Sequence, residues 1–287
     1  MKPPPFGYSR PESLGDALRL LGESGNDAKV LACGQSLVPL LSMRLAAPRQ
    51  LVDINRVSEL AYVRVDENTV RVGALARQAD VERDDRAAAV QPLLRQALRL
   101  VAHPTIRNRG TVVGSLAHAD PAGELTAVLA VLGGAVRLAS ARGDRTVTAE
   151  QFFVGPLSTS AAADELVVEA SFPARPPRNG SAFVEVSRRH GDYAICGVAV
   201  CVTVDEDGEL QGGKAAFISV GPTPVVVELS EPVAGTYPGG DLSDVRDAVC
   251  AAVSPEPDIH ASAEYRRQLA GVLAVRAIRE AAQRAAA

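Results

Sequence analysis

The sequence is poor in the residues that small secreted or metal-carrying proteins depend on, with four Cys and four His in 287 positions. Cys33, Cys196, Cys201 and Cys250 form no C-x-x-C pair and no regular spacing, which argues against a disulfide framework and against a metal site. Long apolar runs are also missing. The two most apolar stretches, 125–136 and 193–204, are about 12 residues each, whereas a helical bilayer crossing takes roughly 20, so no transmembrane segment is expected. Behind Met1-Lys2-Pro3-Pro4-Pro5-Phe6 there is no apolar stretch, so no cleaved signal peptide is expected and a reduced, cytoplasmic setting is the default. There is no excess of positive charge: 30 basic against 34 acidic side chains give −4, with the Arg residues scattered, which leaves no electrostatic footprint for nucleic acid. What remains, 47% hydrophobic and 22% charged, is an ordinary globular composition long enough for one large domain or two modest ones.

Periodicity then gives an α+β order of elements. Leu14, Ala17, Leu18 and Leu21 recur at helical spacing behind a potential Ser13 cap. Residues 28–32 read as a buried strand, 37–45 as a helix and 50–54 as a second strand, a βαβ-sized unit with a small-residue turn after its first strand. Over 57–79, alternation of Val63, Val65, Val70 and Val72 predicts two strands and a Gly-containing bend. Residues 90–101 and 124–132 have helical periodicity, while 136–138, 145–147 and 166–172 read as strands. The Pro-rich stretch 173–180 marks a boundary. Beyond it come strands at 182–186, 195–204 and 214–220, then helices at 242–253 and 263–284.

Two loops carry the candidate chemistry. The first is Ala32-Cys33-Gly34-Gln35-Ser36-Leu37, between a strand and a helix, where backbone N–H groups and a hydroxyl can converge on an anion. It is neither a G-x-G-x-x-G nor a P-loop, and taken alone its composition is better explained as an ordinary tight turn. The second runs from Ile106 to Pro121 and has neither the helical nor the strand period. Gly110 and Gly114 allow close backbone approach, while Thr111, Ser115, His118 and Asp120 supply hydroxyl, imidazole and carboxylate groups. A long structural loop is the alternative.

Together these loops resemble the FAD-binding medium subunit of the molybdenum hydroxylases, the family of carbon monoxide dehydrogenase and xanthine dehydrogenase, with its A-G-G-x-S-L and I-R-N-x-G-T-x-G-G-[NS]-x-x-H-A-D-P loops. Gly191-Asp192-Tyr193-Ala194-Ile195 resembles its G-D-[YF]-A motif. Ser219-Val220-Gly221-Pro222-Thr223-Pro224 and Ser262-Ala263-Glu264-Tyr265-Arg266-Arg267 resemble its C-terminal signatures. The likeness spans almost the whole chain. Two departures stand out: Cys33 and Val113 each replace a family Gly, so a Cβ there is expected to crowd a diphosphate or demand a different φ.

The resemblance implies a two-part FAD-binding domain of the vanillyl-alcohol-oxidase (PCMH) type over 1–175, with lobes 1–55 and 56–175, followed by a C-terminal α+β domain over 180–287. It implies that Ala32, Cys33, Gly34, Gln35, Ser36 and Leu37 hold the pyrophosphate of a noncovalent FAD. Thr111, Gly114 and Ser115 would lie near phosphate and ribityl, Asp120 on a cofactor hydroxyl, and Ile106 near the flavin. Leu166 or Val167 would add backbone contacts, and Arg188 or Arg189 with Tyr193 would lie near the isoalloxazine. His118 sits in the signature loop, as scaffold or cofactor contact. Tyr193 as a core aromatic, Arg188 and Arg189 as a solvated pair, and His103, His190 and His260 as structural residues are the plain alternatives. No nucleophile arrangement is visible, so no catalytic residue is expected.

The function implied is electron transfer within a hetero-oligomer. A small partner carries two [2Fe–2S] clusters, for which this chain has too few thiolates. A large partner holds the molybdenum–pterin centre and chooses the substrate, and the medium chain passes electrons to an external acceptor. A self-contained FAD oxidase or reductase of the same superfold and a flavin-free scaffold are the rival readings.

Overall fold

The computed structural model describes residues 2–285. Ser13, in extended conformation, accepts the Asp16 N–H (3.1 Å) and starts the helix Leu14–Ser24, whose buried stripe is Ala17, Leu18 and Leu21, as the spacing predicts. Strands Gly7–Ser9, Gln50–Asp53 and Ala28–Leu31 pair in parallel as a three-stranded sheet with Gln50–Asp53 in the middle. The intervening helix Leu37–Ser42 stops short of residue 45, because Arg44 turns the chain at φ +59°.

A five-stranded antiparallel sheet follows, ordered Val63–Val65, Thr69–Gly73, Leu166–Pro173, Ala135–Ser140, Gly143–Thr148. Residues 57–62 are not strand. Val57 and Leu60 are instead buried by short 3₁₀ turns. The single helix expected over 90–101 is divided. Gln91, at φ −138°, ends Asp85–Val90, and its side chain accepts the Leu93 N–H (3.3 Å) to cap Pro92–Leu98, with Pro92 in the first turn. The helix Gln78–Arg83 and the hairpin Phe153–Gly155/Ser158–Thr159 are not legible as periodic segments.

The C-terminal part is a four-stranded antiparallel sheet, Asn179–Val186, Cys196–Val204, Leu210–Ile218 and Val225–Glu228. Its two faces obey the strand period. Val198, Val200 and Val202 face the helices Ser243–Ala252 and Ala263–Ala285, and the backbone at Gly180 lies so close to Ala281 that a Cβ would overlap it. Ala199, Ala216 and Ile218 face the other way, into the same core as the five-stranded sheet, under the helix Glu124–Val131. The boundary stretch is tied down as well, by Ala174 N–H to Asn68 O (2.8 Å) and Arg175 N–H to Val90 O (2.9 Å). Among the described residues, no helix is long and apolar enough to cross a membrane.

Candidate functional site

The first loop leaves the parallel sheet at Leu31 and enters the helix Leu37–Ser42. Gly34 turns it at φ +78°, and a Cβ there would stand 2.8 Å from Val38 Cγ2 and 3.2 Å from Leu31 Cδ1, so the turn requires glycine. Cys33 keeps an ordinary negative φ, so the side chain that replaces the family glycine brings no backbone strain. Among the described residues, the N–H groups of Cys33, Gly34, Gln35, Ser36 and Leu37 find no acceptor within the chain, although the loop is half-buried. A run of unpaired donors in a partly buried turn suits an anion with several oxygens.

The second loop is not irregular. Its composition of Gly, Thr, Ser and Asn hides two short helices, Pro104–Arg107 and Val112–His118. Each is too short to display a period, which is why the pattern reads as loop. Thr111 is extended and its hydroxyl accepts the Gly114 N–H (3.1 Å), an N-cap, and Ala119 ends the helix in the left-handed region at φ +51°. Val113 is 2% exposed and packs in the main core, at an ordinary negative φ. Gly114 is required by the cap, since a Cβ there would overlap the Thr111 hydroxyl. The Ser115 hydroxyl is half-buried and without a partner among the described residues.

Residues outside both loops join them. Asn55 donates to the Ala32 carbonyl, and Arg77 donates from Nη2 to Asn55 Oδ1 (2.9 Å) and from Nη1 to the Arg109 carbonyl (2.8 Å). Gln78 N–H to Gly110 O (2.8 Å) and an antiparallel bridge of Arg77 with Thr111 complete the seam. Beneath it, Asp53 accepts Asn55 N–H (2.9 Å), Asn55 Nδ2 (2.6 Å) and the Tyr8 hydroxyl. Burial pushes the Asp53 carboxyl up, but these donors outweigh it and hold the group below the usual carboxylate range.

The C-terminal part reaches the second loop at Ser219, whose N–H donates to Pro121 O (2.8 Å) and whose hydroxyl donates to Ala194 O (2.7 Å). This contact places Tyr193 beside Asp120, which also lies 3.9 Å from His118 Nε2. The Tyr193 residue is 68% exposed, which removes the core-aromatic alternative. Desolvation of its hydroxyl and the nearby Asp120 and Glu124 carboxylates raise the phenol above its ordinary value. Behind it lies an acidic pair. Glu124 opens the helix Glu124–Val131, and Glu185 sits opposite Gly197 in the C-terminal sheet with a buried, unpaired Oε2. Burial with the neighbouring Asp120 charge raises Glu124 to about 7, and burial with the Glu124 charge raises Glu185 to about 8.

Leu166 and Val167 are buried and pair with Ala139 and Leu138 on one side, while Thr69–Gly73 pairs only with Glu169–Pro173 on the other. Ile106 is half-buried in the short helix that leads into the second loop. Arg188 is apart from the rest: its guanidinium is exposed and approaches Asp192 of its own loop at 4.0 Å. Sequence reasoning missed Asp53, Asn55, Arg77, Glu124 and Glu185. The one local signal among them is D-x-N at the strand end, where Asp53 caps a 3₁₀ turn.

Comparison with known proteins agrees with this geometry. Residues 4–175 match the family described as FAD binding domain in molybdopterin dehydrogenase, and residues 181–281 match the CO dehydrogenase flavoprotein C-terminal domain. The chain is 41% identical to the 6-hydroxypseudooxynicotine dehydrogenase complex subunit alpha of Paenarthrobacter nicotinovorans, covering 99% of this chain and 97% of that one. It is 35% identical to the carbon monoxide dehydrogenase medium chain of Hydrogenophaga pseudoflava, covering 100% of both. Among solved structures, a chain of quinoline 2-oxidoreductase from Pseudomonas putida 86 superposes with a TM-score of 0.92 at 35% identity, covering 99% of each chain. The α+β architecture and both matched domains are thus those of one group, and the chain belongs to the family of FAD-binding medium subunits of the molybdenum hydroxylases.

Proposed function

We propose that the chain holds one FAD noncovalently across the seam between its two loops and relays electrons from a [2Fe–2S] partner to an external acceptor. The observation that carries this reading is the run of unpaired N–H groups from Cys33 to Leu37, joined to the Thr111 helix start through Asn55 and Arg77. The donor set fits the cofactor: amides for a diphosphate, free hydroxyls and a carboxylate for a polyol, and an open aromatic face for a ring system. In this reading the first loop, from Ala32 and Cys33 through Gly34, Gln35, Ser36 and Leu37, binds the diphosphate. Thr111, Gly114 and Ser115 flank it from the other side, Asp120 accepts from a cofactor hydroxyl, and His118 supports Asp120. Ile106, the open edge at Leu166 and Val167, and the exposed Tyr193 wall the ring, with Arg188 at its rim. FAD, when bound, supplies the exchange of electrons singly or in pairs. The chain's own residues bind, orient and shield it; none is placed to attack a substrate.

The family's subunit organisation implies a small and a large partner, and the molybdenum–pterin centre and clusters belong to those partners. The proposed division of labour puts the cofactor in residues 1–175, with lobes 1–55 and 56–175, and the C-terminal domain in 180–287. A cytoplasmic setting is supported by four free thiols. Acid precipitation of the purified protein tests the reading: flavin released into the supernatant supports it. A colourless native protein would favour the scaffold reading, and yellow colour kept in the pellet would point to covalent attachment at Cys33. Robust substrate oxidation by the lone chain would favour a self-contained flavoenzyme.

A further inference from the structure

The two loops that line the proposed cofactor cleft come from different sheets. The first ends a strand of the parallel sheet, and the second starts a helix packed on the antiparallel sheet. A ligand held by both needs their separation fixed to a fraction of an ångström, and main-chain contacts secure only part of it. Gln78 N–H to Gly110 O registers the second loop on the segment that carries Arg77, but this bond does not reach the first loop. Among the described residues, the hydrogen bonds that carry the link on to the first loop come from side chains, Asn55 on the Ala32 carbonyl and Arg77 on Asn55.

We propose that Asn55 and Arg77 are positioning residues that set the distance between the two cofactor-binding loops, acting through the carbonyls of Ala32 and Arg109. This inference rests on the proposed FAD site. The Asn55 amide has only one workable orientation. Its nitrogen donates to Asp53 Oδ1 (2.6 Å) and to Ala32 O, and its oxygen accepts from Arg77 (2.9 Å). Turned over, it would set oxygen against a carboxylate and a carbonyl, and nitrogen against a guanidinium. Asp53 therefore acts as the key, itself locked by Tyr8 and by Arg10 at 3.5 Å. Arg77 is equally constrained. Its carbonyl accepts two N–H groups in the first turn of Gln78–Arg83 (Asp80, 3.0 Å; Val81, 3.1 Å), so its backbone is fixed while its guanidinium fork spans two acceptors. A lysine ammonium has the charge but not the planar fork that reaches both.

The peptide geometry gives the arrangement a direction. In a trans peptide the C=O and N–H point oppositely. Asn55, by gripping the Ala32 carbonyl, turns the Cys33 N–H to the opposite side, where the run of unpaired amides begins. The link thus aims the first donor of the loop as well as spacing it.

The test is titration of the full apo chain with FAD, followed by flavin absorbance and by circular dichroism of the flavin bands at saturation, with the melting temperature of each apo variant alongside. Arg77→Lys and Asn55→Ser are the decisive variants, because the lysine keeps the charge but loses the fork, and the serine stays polar but cannot reach Ala32 O and Arg77 together. Both are expected to raise the FAD Kd by about 10–100-fold, the loss typical when residues that orient a site from outside are removed. They are also expected to change the dichroism of whatever flavin binds, with little change in apo melting. If either fails to fold, Arg77→Gln, which keeps a planar donor, and Asn55→Ala take its place and should show the same pattern. Wild-type affinity and dichroism in Arg77→Lys would overturn the inference, since charge alone would then suffice. A wild-type chain that takes up no FAD would overturn the proposed function and this inference with it, whereas wild-type binding with unaltered variants would overturn the inference alone.

Discussion

The hydroxyl of Thr111 occupies the space that a side chain on Gly114 would need, and it uses that space to accept the Gly114 N–H at 3.1 Å. The glycine therefore serves the start of its own helix. Gly114→Ala is expected to break the cap and destabilise the protein by about 1–2 kcal/mol, the usual worth of such a cap. In a Thr111→Ala background the same change should be neutral or stabilising by up to about 1 kcal/mol, because an alanine inside a helix is then simply better than a glycine. Chemical denaturation of the four proteins of this cycle measures it. Additive losses would show that Gly114 is needed for another reason.

Val113 replaces a family glycine, but its side chain lies in the core. Restoring the glycine by Val113→Gly should not tighten FAD binding. It should instead destabilise the fold by about 2–3 kcal/mol, from lost burial plus a glycine in a helix. A flavin titration alongside thermal melting checks both halves. A gain in affinity would mean that the valine does crowd the cofactor.

Arg107 belongs to the I-R-N part of the second loop, but its role is internal. It is 7% exposed, pairs with Glu82 through Nε (2.8 Å) and donates to the Val101 carbonyl (3.0 Å). Arg107→Met strands the Glu82 carboxylate and is expected to cost about 3 kcal/mol; adding Glu82→Leu should recover much of it. Urea denaturation reads the difference, and a double variant no better than the single one would refute it.

The Glu124–Glu185 pair makes stability depend on pH in the sense opposite to most carboxylates. Its groups titrate at about 7 and about 8 in the folded protein, against about 4.3 when unfolded. Between those limits the folded state holds protons that the unfolded state has released, so stability falls as pH rises from about 5 to 8 and levels off above. Asp53 and Asp258, held low by their partners, lose their contribution only below about pH 4, outside this window. Glu185→Gln should flatten the slope and raise the melting temperature at pH 8, with a gain on the order of 1–3 kcal/mol. An unchanged slope would place its origin elsewhere.

The long periodic elements are readable from residue spacing alone: the Leu14–Ser24 stripe, the alternation through Leu166–Pro173 and the final helix Ala263–Ala285 all follow it. The family motifs mark the two loops. They do not reveal that the second is helical, because a helix of two turns rich in Gly, Thr and Ser leaves no period. The link between the loops is invisible for a different reason. Asn55 and Arg77 stand between ordinary elements, and their meaning lies in partners distant along the chain, Ala32 and Arg109. Glu124 and Glu185 likewise give no signal until the fold buries them within reach of each other's charge.

The C-terminal sheet is covered on both faces, by its own helices on one and by Glu124–Val131 on the other. Severing the chain within 173–180 would therefore bare a greasy surface on each fragment, Ala199, Ala216 and Ile218 on one and the sheet-facing side of the helix Glu124–Val131 on the other. Separately expressed halves should precipitate when made alone and dissolve when made together, so neither half is a unit that can be handled without the other.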